Sequence, residues 1–233
     1  MESFPYVTAI IVAGGSSRRM GFDKLTAVLA GQPLLSHTLR AFEESPSIKE
    51  IFIVCDPRRK AQFSHIAQEY EIKKLSALVP AGKERRDSVW NGILATAEKS
   101  EYLAVHDGAR PLITVRLIES CIQTAIRSGA ACVAEPVVDT LHRANENKML
   151  IGTLPREGLW RMQTPQVFRR KELYEAYSHL IRENTPATDE ATAFLNMGKR
   201  VFVEEANDWN FKITVPKELT LAEMILAERK NQG

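Results

Sequence analysis

An apolar, β-prone run, Ala9-Ile10-Ile11-Val12, ends at Ala13-Gly14-Gly15, and the cations Arg18, Arg19 and Lys24 lie within ten residues of the glycines. Glycine has no Cβ, so a buried strand that opens into Gly-Gly brings bare backbone N–H groups up to a ligand. Cations beside such a loop suit a polyphosphate, and the stretch from Thr8 to Lys24 reads as a nucleoside triphosphate site. The competing reading is a tight turn with an exposed Arg-Arg pair. Asp107 is a second candidate, because it stands where a strand over Tyr102–His106 stops at Asp107-Gly108. Asp-Gly is common turn chemistry. A carboxylate beside a phosphate loop also suits Mg²⁺, which keeps most of its waters and takes only one or two protein carboxylates. Ala81–Ser88 is the third candidate. It reads either as a loop and helix start capped by Asp87 or Ser88, or as a wall that presents Gly82 and the Ser88 hydroxyl to a nucleobase.

The elements that must position these residues alternate. After the glycine loop, a helix starts at Pro33-Leu34-Leu35 with Leu34, Leu35, Thr38, Leu39 and Phe42 on one face, and stops near Ser45-Pro46. Strands are predicted over Ile51–Cys55, Leu75–Val79, Tyr102–His106 and Ala130–Ala134. A polar helix ends near Tyr70. A second helix runs from Asp87 with Val89, Trp90, Ile93, Leu94 and Ala97, and a third is capped by Thr114 with Leu117, Ile118, Cys121, Ile122, Ala125 and Ile126 in one stripe. This alternation predicts parallel β-α-β units with right-handed crossovers. Ligands in such sheets collect at the carboxyl ends of the strands, which puts the Gly14 loop, the Gly82 loop and Asp107 on one rim. From Val137 to about Trp160 the alternation breaks into two strands and a polar turn at Asn145–Lys148, a β-hairpin arm. Such a ribbon is hardly stable alone. It packs on its own domain or on another subunit, and its His142, Arg143 and Arg156 favour the subunit. Beyond it, Gln166–Phe168 reads as a short strand, Lys171–Glu183 as a helix, Asp189–Met197 as a short helix capped by Thr188, and Val201–Glu204 and Phe211–Thr214 as strands. Pro216 starts a terminal helix with Leu219, Leu221, Met224 and Ile225.

The chain has 233 residues, 26% charged and 44% hydrophobic, with a net charge of +2. That suits one α/β domain over 1–233 with an excursion at 137–160. The balance of charge gives no sign of a nucleic-acid partner, so the positive charge that matters is local. No apolar run reaches membrane-spanning length and the amino-terminal residues do not resemble a signal peptide, which predicts a cytoplasmic protein without a membrane partner. Cys55, Cys121 and Cys132 lack CxxC spacing and read as small core residues in a reducing compartment. His106 and His142 read as structural.

The loop lacks both GxxxxGK[ST] and GxGxxG, and instead resembles the nucleotidyltransferase pattern AGGxxxRMG followed by a lysine. VAGGSSRRMGFDK, GKERRDSV, VHDGARP, PVVDTLHR, REGLWRMQTPQ, TDEA and NFKIT follow one another from Val12 to Thr214. Together they resemble the 2-C-methyl-D-erythritol 4-phosphate cytidylyltransferases of the non-mevalonate isoprenoid pathway. Two positions depart from the pattern, Ala81 where a glycine is usual and Trp209 before Asn210. The resemblance implies a single Rossmann-like nucleotidyltransferase domain with a mostly parallel sheet and a protruding β-hairpin arm. It implies transfer from CTP to the polyol phosphate, with Mg²⁺ or another divalent cation on Asp107. Arg19 and Lys24 would stabilise charge at the α-phosphate and on the leaving pyrophosphate. Ala13, Gly14, Gly15, Gly82 and Ser88 would surround the nucleotide. Arg110, Thr164, Thr188 and Lys212 would surround the methylerythritol phosphate, while Thr140 and Arg156 would reach from the arm into a partner's site in a homodimer. Arg156 and Lys212 would share one phosphate, as a fork and a point charge. The alternatives are a cytidylyltransferase for ribitol 5-phosphate or another polyol phosphate, and a non-catalytic nucleotide-binding regulator.

Overall fold

The computed structural model describes residues 4–15 and 20–232. In chain order, β1 (Val7–Val12) is followed by the short pair β2 (Val28–Leu29) and β3 (Gln32–Pro33), then α1 (Leu34–Glu44) and β4 (Ile48–Cys55). A 3-10 turn over Pro57–Arg59 leads to α2 (Lys60–Glu69), β5 (Leu75–Pro80), α3 (Arg85–Ala95), β6 (Tyr102–Asp107), α4 (Val115–Ser128) and β7 (Ala130–Pro136). The arm is β8 (Leu141–Ala144) with β9 (Leu150–Leu154). After it come β10 (Trp160–Arg169), α5 (Arg170–Arg182), α6 (Glu190–Asn196), β11 (Phe202–Glu205) and α7 (Pro216–Gln232).

The main sheet has the order β11-β7-β10-β6-β1-β4-β5. β1 runs parallel to β4 and β6, β4 to β5, and β11 to β7, whereas β10 is antiparallel to both its neighbours, β6 and β7. Strands buried on both faces need apolar residues at successive positions, which is what β1 supplies. Ala9 and Ile11 pack with Leu34 and Phe42 of α1, Phe63 of α2, Ile118 and Ile122 of α4, and Ala222 and Ile225 of α7. Ile10 faces the other side, with Val89 and Ile93 of α3, Leu173 and Tyr177 of α5, and Phe194 of α6. Phe194 meets Phe168 of β10 at a ring separation of 4.3 Å, a contact worth about 1 kcal/mol beyond its buried area. Cys55, Cys121 and Cys132 are buried and free, as expected of small core residues.

The structure corrects several local expectations. The strand predicted at Gln166–Phe168 is part of the ten-residue β10, which separates β6 from β7 so that these two never pair. Phe211–Thr214 is not a strand; it is irregular backbone, held by Ile213 N donating to Ala109 O at 2.8 Å. Asp189, not Thr188, caps α6 by accepting from Thr192 N. α3 begins at Arg85, not Asp87: Glu84 and Asp87 form a capping box, and Ser88 lies within the first turn. The stripe expected on α3 is broken as well, since Leu94 is exposed and Ala97 lies past the helix end, while Gly92 packs against Ile10 and Val54. On α7, Leu221 and Met224 face outward and Ala222 and Ile225 are the buried positions.

His106 lies fully buried on β6, with its ring 4.9 Å from Phe42. Burial pushes its pKa down to about 3 from an ordinary 6.5. The unfolded chain therefore binds a proton that the folded chain refuses between those values, so the stabilising effect is complete above 6.5 and is lost as the pH falls towards 3. Stability should decline from pH 6.5 towards 4, by up to about 1.4 kcal/mol per pH unit for this group. Urea midpoints measured across that range for the native chain and His106→Gln test this: the variant should show the shallower slope, and equal slopes would remove His106 as the cause.

Candidate active site

Loops leave the carboxyl ends of β1, β5 and β6 side by side. Ala13 N donates to Val54 O at 2.7 Å, Ala81 N to Cys55 O at 2.8 Å and Gly108 N to Val12 O at 2.9 Å, so ladder pairing fixes the base of each loop. Between them lies a cavity of about 550 Å³, whose wall includes Ala13, Gly14, Gly15, Lys24, Gly82, Arg85, Ser88, Asp107 and Lys212. That volume is in the range of small-molecule sites. A Cβ on Gly14 would stand 2.6 Å from Cβ of Ala81, and one on Gly82 would overlap Asp87. These two glycines let the β1 and β5 loops close on each other, and Ala81 fits because Gly14 has no side chain. Ser88 Oγ accepts from Gly82 N and donates to Glu84 O, both at 3.0 Å. Its hydroxyl shapes the Gly82 turn.

The charge at the site is organised around Asp107. Its Oδ2 lies 3.0 Å from Lys212 Nζ and 3.5 Å from Arg110 Nε, and its Oδ1 lies 3.5 Å from Arg85 Nε. Burial alone would push this carboxyl up, but Lys212, Arg85 and Arg110 more than reverse that and hold it below the usual carboxylate range. Asp107 is therefore an anion at the cavity wall. The 210–214 segment crosses in front of it. Lys24 Nζ donates to Ile213 O at 2.7 Å, Arg110 donates to Asn210 O at 2.8 Å, and Asn210 Nδ2 donates to Gln163 Oε1 and Thr164 O, both at 2.8 Å. Among the described residues no group of three or more His, Cys, Asp or Glu is placed to hold a metal. One ionised carboxylate on a cavity wall still fits Mg²⁺ of the kind held mostly by water and substrate phosphate.

The sequence-derived candidates fall into distinct places. Ala13, Gly14, Gly15, Lys24, Gly82, Ser88, Asp107 and Lys212 line one cavity, and Arg110 stands against Asp107. Thr164 is buried behind Asp107, where its Oγ1 accepts from Asp107 N at 3.1 Å and lies 3.0 Å from His106 Nδ1, so the structure does not bring it to the cavity. Thr188 is exposed ahead of α6, 3.5 Å from Thr192 Oγ1. Thr140 and Arg156 are exposed at the arm, where Arg156 donates to Val138 O, and neither lines the cavity of its own chain. Arg19 and its neighbours at 16–18 lie outside the described residues. Trp209, one of the departures from the pattern, is exposed and meets Phe211 edge-on at 6.2 Å.

The family model described as 2-C-methyl-D-erythritol 4-phosphate cytidylyltransferase matches residues 7–228. The chain belongs to this family. A protein of that name from Alkaliphilus oremlandii is 40% identical over 99% of both chains. The solved structure of the Francisella tularensis 2-C-methyl-D-erythritol 4-phosphate cytidylyltransferase superposes with a TM-score of 0.80, at 27% identity over 94% of this chain and 99% of that one. The 4-diphosphocytidyl-2C-methyl-D-erythritol synthase structure from Anaerococcus prevotii shares the fold, with a TM-score of 0.85 at 24% identity over 97% of this chain and 100% of that one. The α/β fold with a mostly parallel sheet is thus the fold of cytidylyltransferases of this family.

Sequence reasoning missed Arg59. From the turn after β4 its guanidinium donates to Ala13 O at 3.2 Å and Gly15 O at 3.4 Å, forms an ion pair with Asp23, and covers the Phe63 ring at 4.7 Å. It thereby ties residues on both sides of positions 16–19 to one point. Nothing in Pro57-Arg58-Arg59 distinguishes it from a solvated turn; only the fold brings it under the glycine loop. Arg59→Ala should raise KM for CTP about 10- to 10²-fold, the scale of losing charged hydrogen bonds worth roughly 1.5–3 kcal/mol, while the variant stays folded in a thermal melt. An unchanged KM would mean that the loop is held without it.

Proposed function

We infer that the chain transfers the cytidylyl group of CTP to 2-C-methyl-D-erythritol 4-phosphate, giving the CDP-methylerythritol and pyrophosphate. The observation that carries this reading is the convergence of the glycine loop, Lys24, Asp107 and Lys212 on one cavity in a chain of this family. An oxygen of the acceptor phosphate attacks the α-phosphorus of CTP. The new P–O bond forms as the bond from the α-phosphorus to the bridging oxygen breaks, and the electron pair leaves with pyrophosphate. The acceptor phosphate is already anionic, so the step needs no strong general base and depends on positioning and on charge stabilisation.

Backbone around Ala13, Gly14 and Gly15 receives the triphosphate, and Gly82 and Ser88 form the wall towards the base. Lys24 and Arg19 stabilise charge developing at the α-phosphate and the leaving group. Mg²⁺ held by Asp107 and phosphate oxygens would supply further neutralisation of the triphosphate. Lys212 and Arg110 stand on the acceptor side, and Thr164 acts from behind, through the backbone of Asp107. The pathway chemistry and the reduced cysteines suit a cytoplasmic location. The expected experiment is pyrophosphate release from CTP and Mg²⁺ with each polyol phosphate: methylerythritol phosphate should be preferred, and preference for ribitol 5-phosphate or no release at all would overturn the reading. Lys24→Ala should lower kcat/KM about 10²–10³-fold, in line with losing one transition-state charge donor.

The same reading makes the chain one catalytic unit with an arm that serves a second copy. The arm exposes Met149, Leu150, Ile151 and Leu154, next to exposed Val138, Leu159 and Trp160. Exposed apolar side chains in this number suit an interaction site, and a lone two-stranded ribbon needs something to pack on. Thr140 and Arg156 then enter the acceptor site of the partner subunit, where Arg156 meets the phosphate that Lys212 holds. Mixed dimers of Arg156→Ala and Lys24→Ala chains should regain up to about a quarter of native activity, because one site in each heterodimer keeps both residues. Absence of recovery after proven subunit exchange would show that the arm serves its own chain.

A further inference from the structure

Glu190 is a carboxylate with no solvent access at the head of α6. A charge so placed persists only with well-aligned partners. Its oxygens take the two terminal nitrogens of Arg85 at 2.6 and 3.1 Å, and Tyr177 Oη donates to Oε1 at 2.9 Å. The guanidinium held in this way lines the nucleotide cavity and turns only its Nε edge to Asp107, at 3.5 Å. The next residue, Arg86, donates to Thr185 O at 2.9 Å and Asn184 Oδ1 at 2.6 Å. The start of α3 is therefore fastened to both ends of the 184–190 loop.

An arginine fork closes on a carboxylate bidentately when nothing else occupies it. Arg85 stands between two carboxylates, and its fork is taken by the one that faces away from the cavity. We infer that Glu190 is a positioning residue for the reaction: by occupying the fork of Arg85 it keeps that guanidinium side-on to Asp107 and stops the fork from closing on the Asp107 carboxylate at the cavity wall. This rests on Asp107 being the cation ligand of the proposed transfer. With the Glu190 charge removed, the Arg85 fork is free to turn onto Asp107 and compete with a divalent cation there. With Arg85 removed as well, the competitor is gone.

The test is Mn²⁺ binding to the whole protein with CTP and no acceptor, followed by the spin-resonance signal of free Mn²⁺, alongside steady-state kinetics in Mg²⁺. Glu190→Gln should weaken Mn²⁺ binding about five- to tenfold and lower kcat about tenfold, with KM for the acceptor within about threefold of native. The double variant Arg85→Gln/Glu190→Gln should bind Mn²⁺ within about twofold of native or tighter, the non-additive result expected of residues acting as a unit. A merely structural Glu190 predicts no such reversal. Native Mn²⁺ affinity in Glu190→Gln, or a double variant as weak as the single, would overturn the inference. If Glu190→Gln does not fold, Glu190→Asp, whose shorter side chain cannot hold both Arg85 nitrogens as Glu190 does, takes its place: weakened Mn²⁺ binding that Arg85→Gln restores supports the inference, and native Mn²⁺ affinity overturns it. A chain that releases no pyrophosphate yet shows the Mn²⁺ pattern would sink the transfer reading and leave Glu190 as the residue that keeps Arg85 off a cation-binding Asp107.

Discussion

A carboxylate buried where a strand ends has to be compensated, and in this chain the compensation of Asp107 decides where distant segments lie. Arg85 arrives from α3, Arg110 from the turn after β6, and Lys212 from the segment before α7. Removing one partner of a buried ion pair typically costs about 3–5 kcal/mol, because the other charge stays behind. The groups that hold Asp107 are therefore also groups that hold the fold, and the same residue is a structural hub and the anion at the cavity wall. Thr164 completes the arrangement from β10 by accepting from the Asp107 backbone N–H, so that the end of β6 is fixed on both sides of its side chain.

The parts of this design that were legible in the sequence are those with a local physical signature. Unbroken apolar runs marked β1, β4 and β6, and strand-then-glycine marked the rim, because backbone can approach a ligand only where Cβ is missing. Thr114 and the 3.6-residue stripe behind it marked α4. The resemblance added what spacing could not supply: VHDGARP and NFKIT, which carry Arg110 and Lys212, have no general phosphate-binding signature, and both residues reach the site through tertiary contacts with Asp107.

The misreadings have physical causes. Trp160–Gln166 carries polar and aromatic residues with no clean alternation, since β10 is exposed at its start and buried from Gln163 to Phe168, and so only its later residues looked like a strand. Thr188 and Asp189 are both competent caps, and only the reach of Asp189 to Thr192 N separates them. Phe211–Thr214 has strand composition, yet its single ladder-like bond goes to a loop carbonyl, at Ala109. Arg59 stands in no motif, and Glu190 lies in TDEA without any sign of its role, because the contacts that define them, Ala13 and Gly15 for Arg59 and Arg85 for Glu190, lie 44 to 105 positions away in the chain.

The antiparallel placement of β10 also governs how the molecule can be made. β6 and β7 are separated in sequence only by α4, a connection from which a parallel neighbour would be expected. In the sheet they are held apart by a strand that is synthesised after the whole arm. A chain that has emerged as far as residue 159 owns the four strands β6-β1-β4-β5 and a lone β7, since β11 comes later still, so β6 and β7 each present an unpaired inner edge of buried residues, and such edges are sites of mispairing. The middle of the sheet, with Asp107 at its end, seals only when residues 160–169 thread between them, so the site is completed by a late, long-range pairing event.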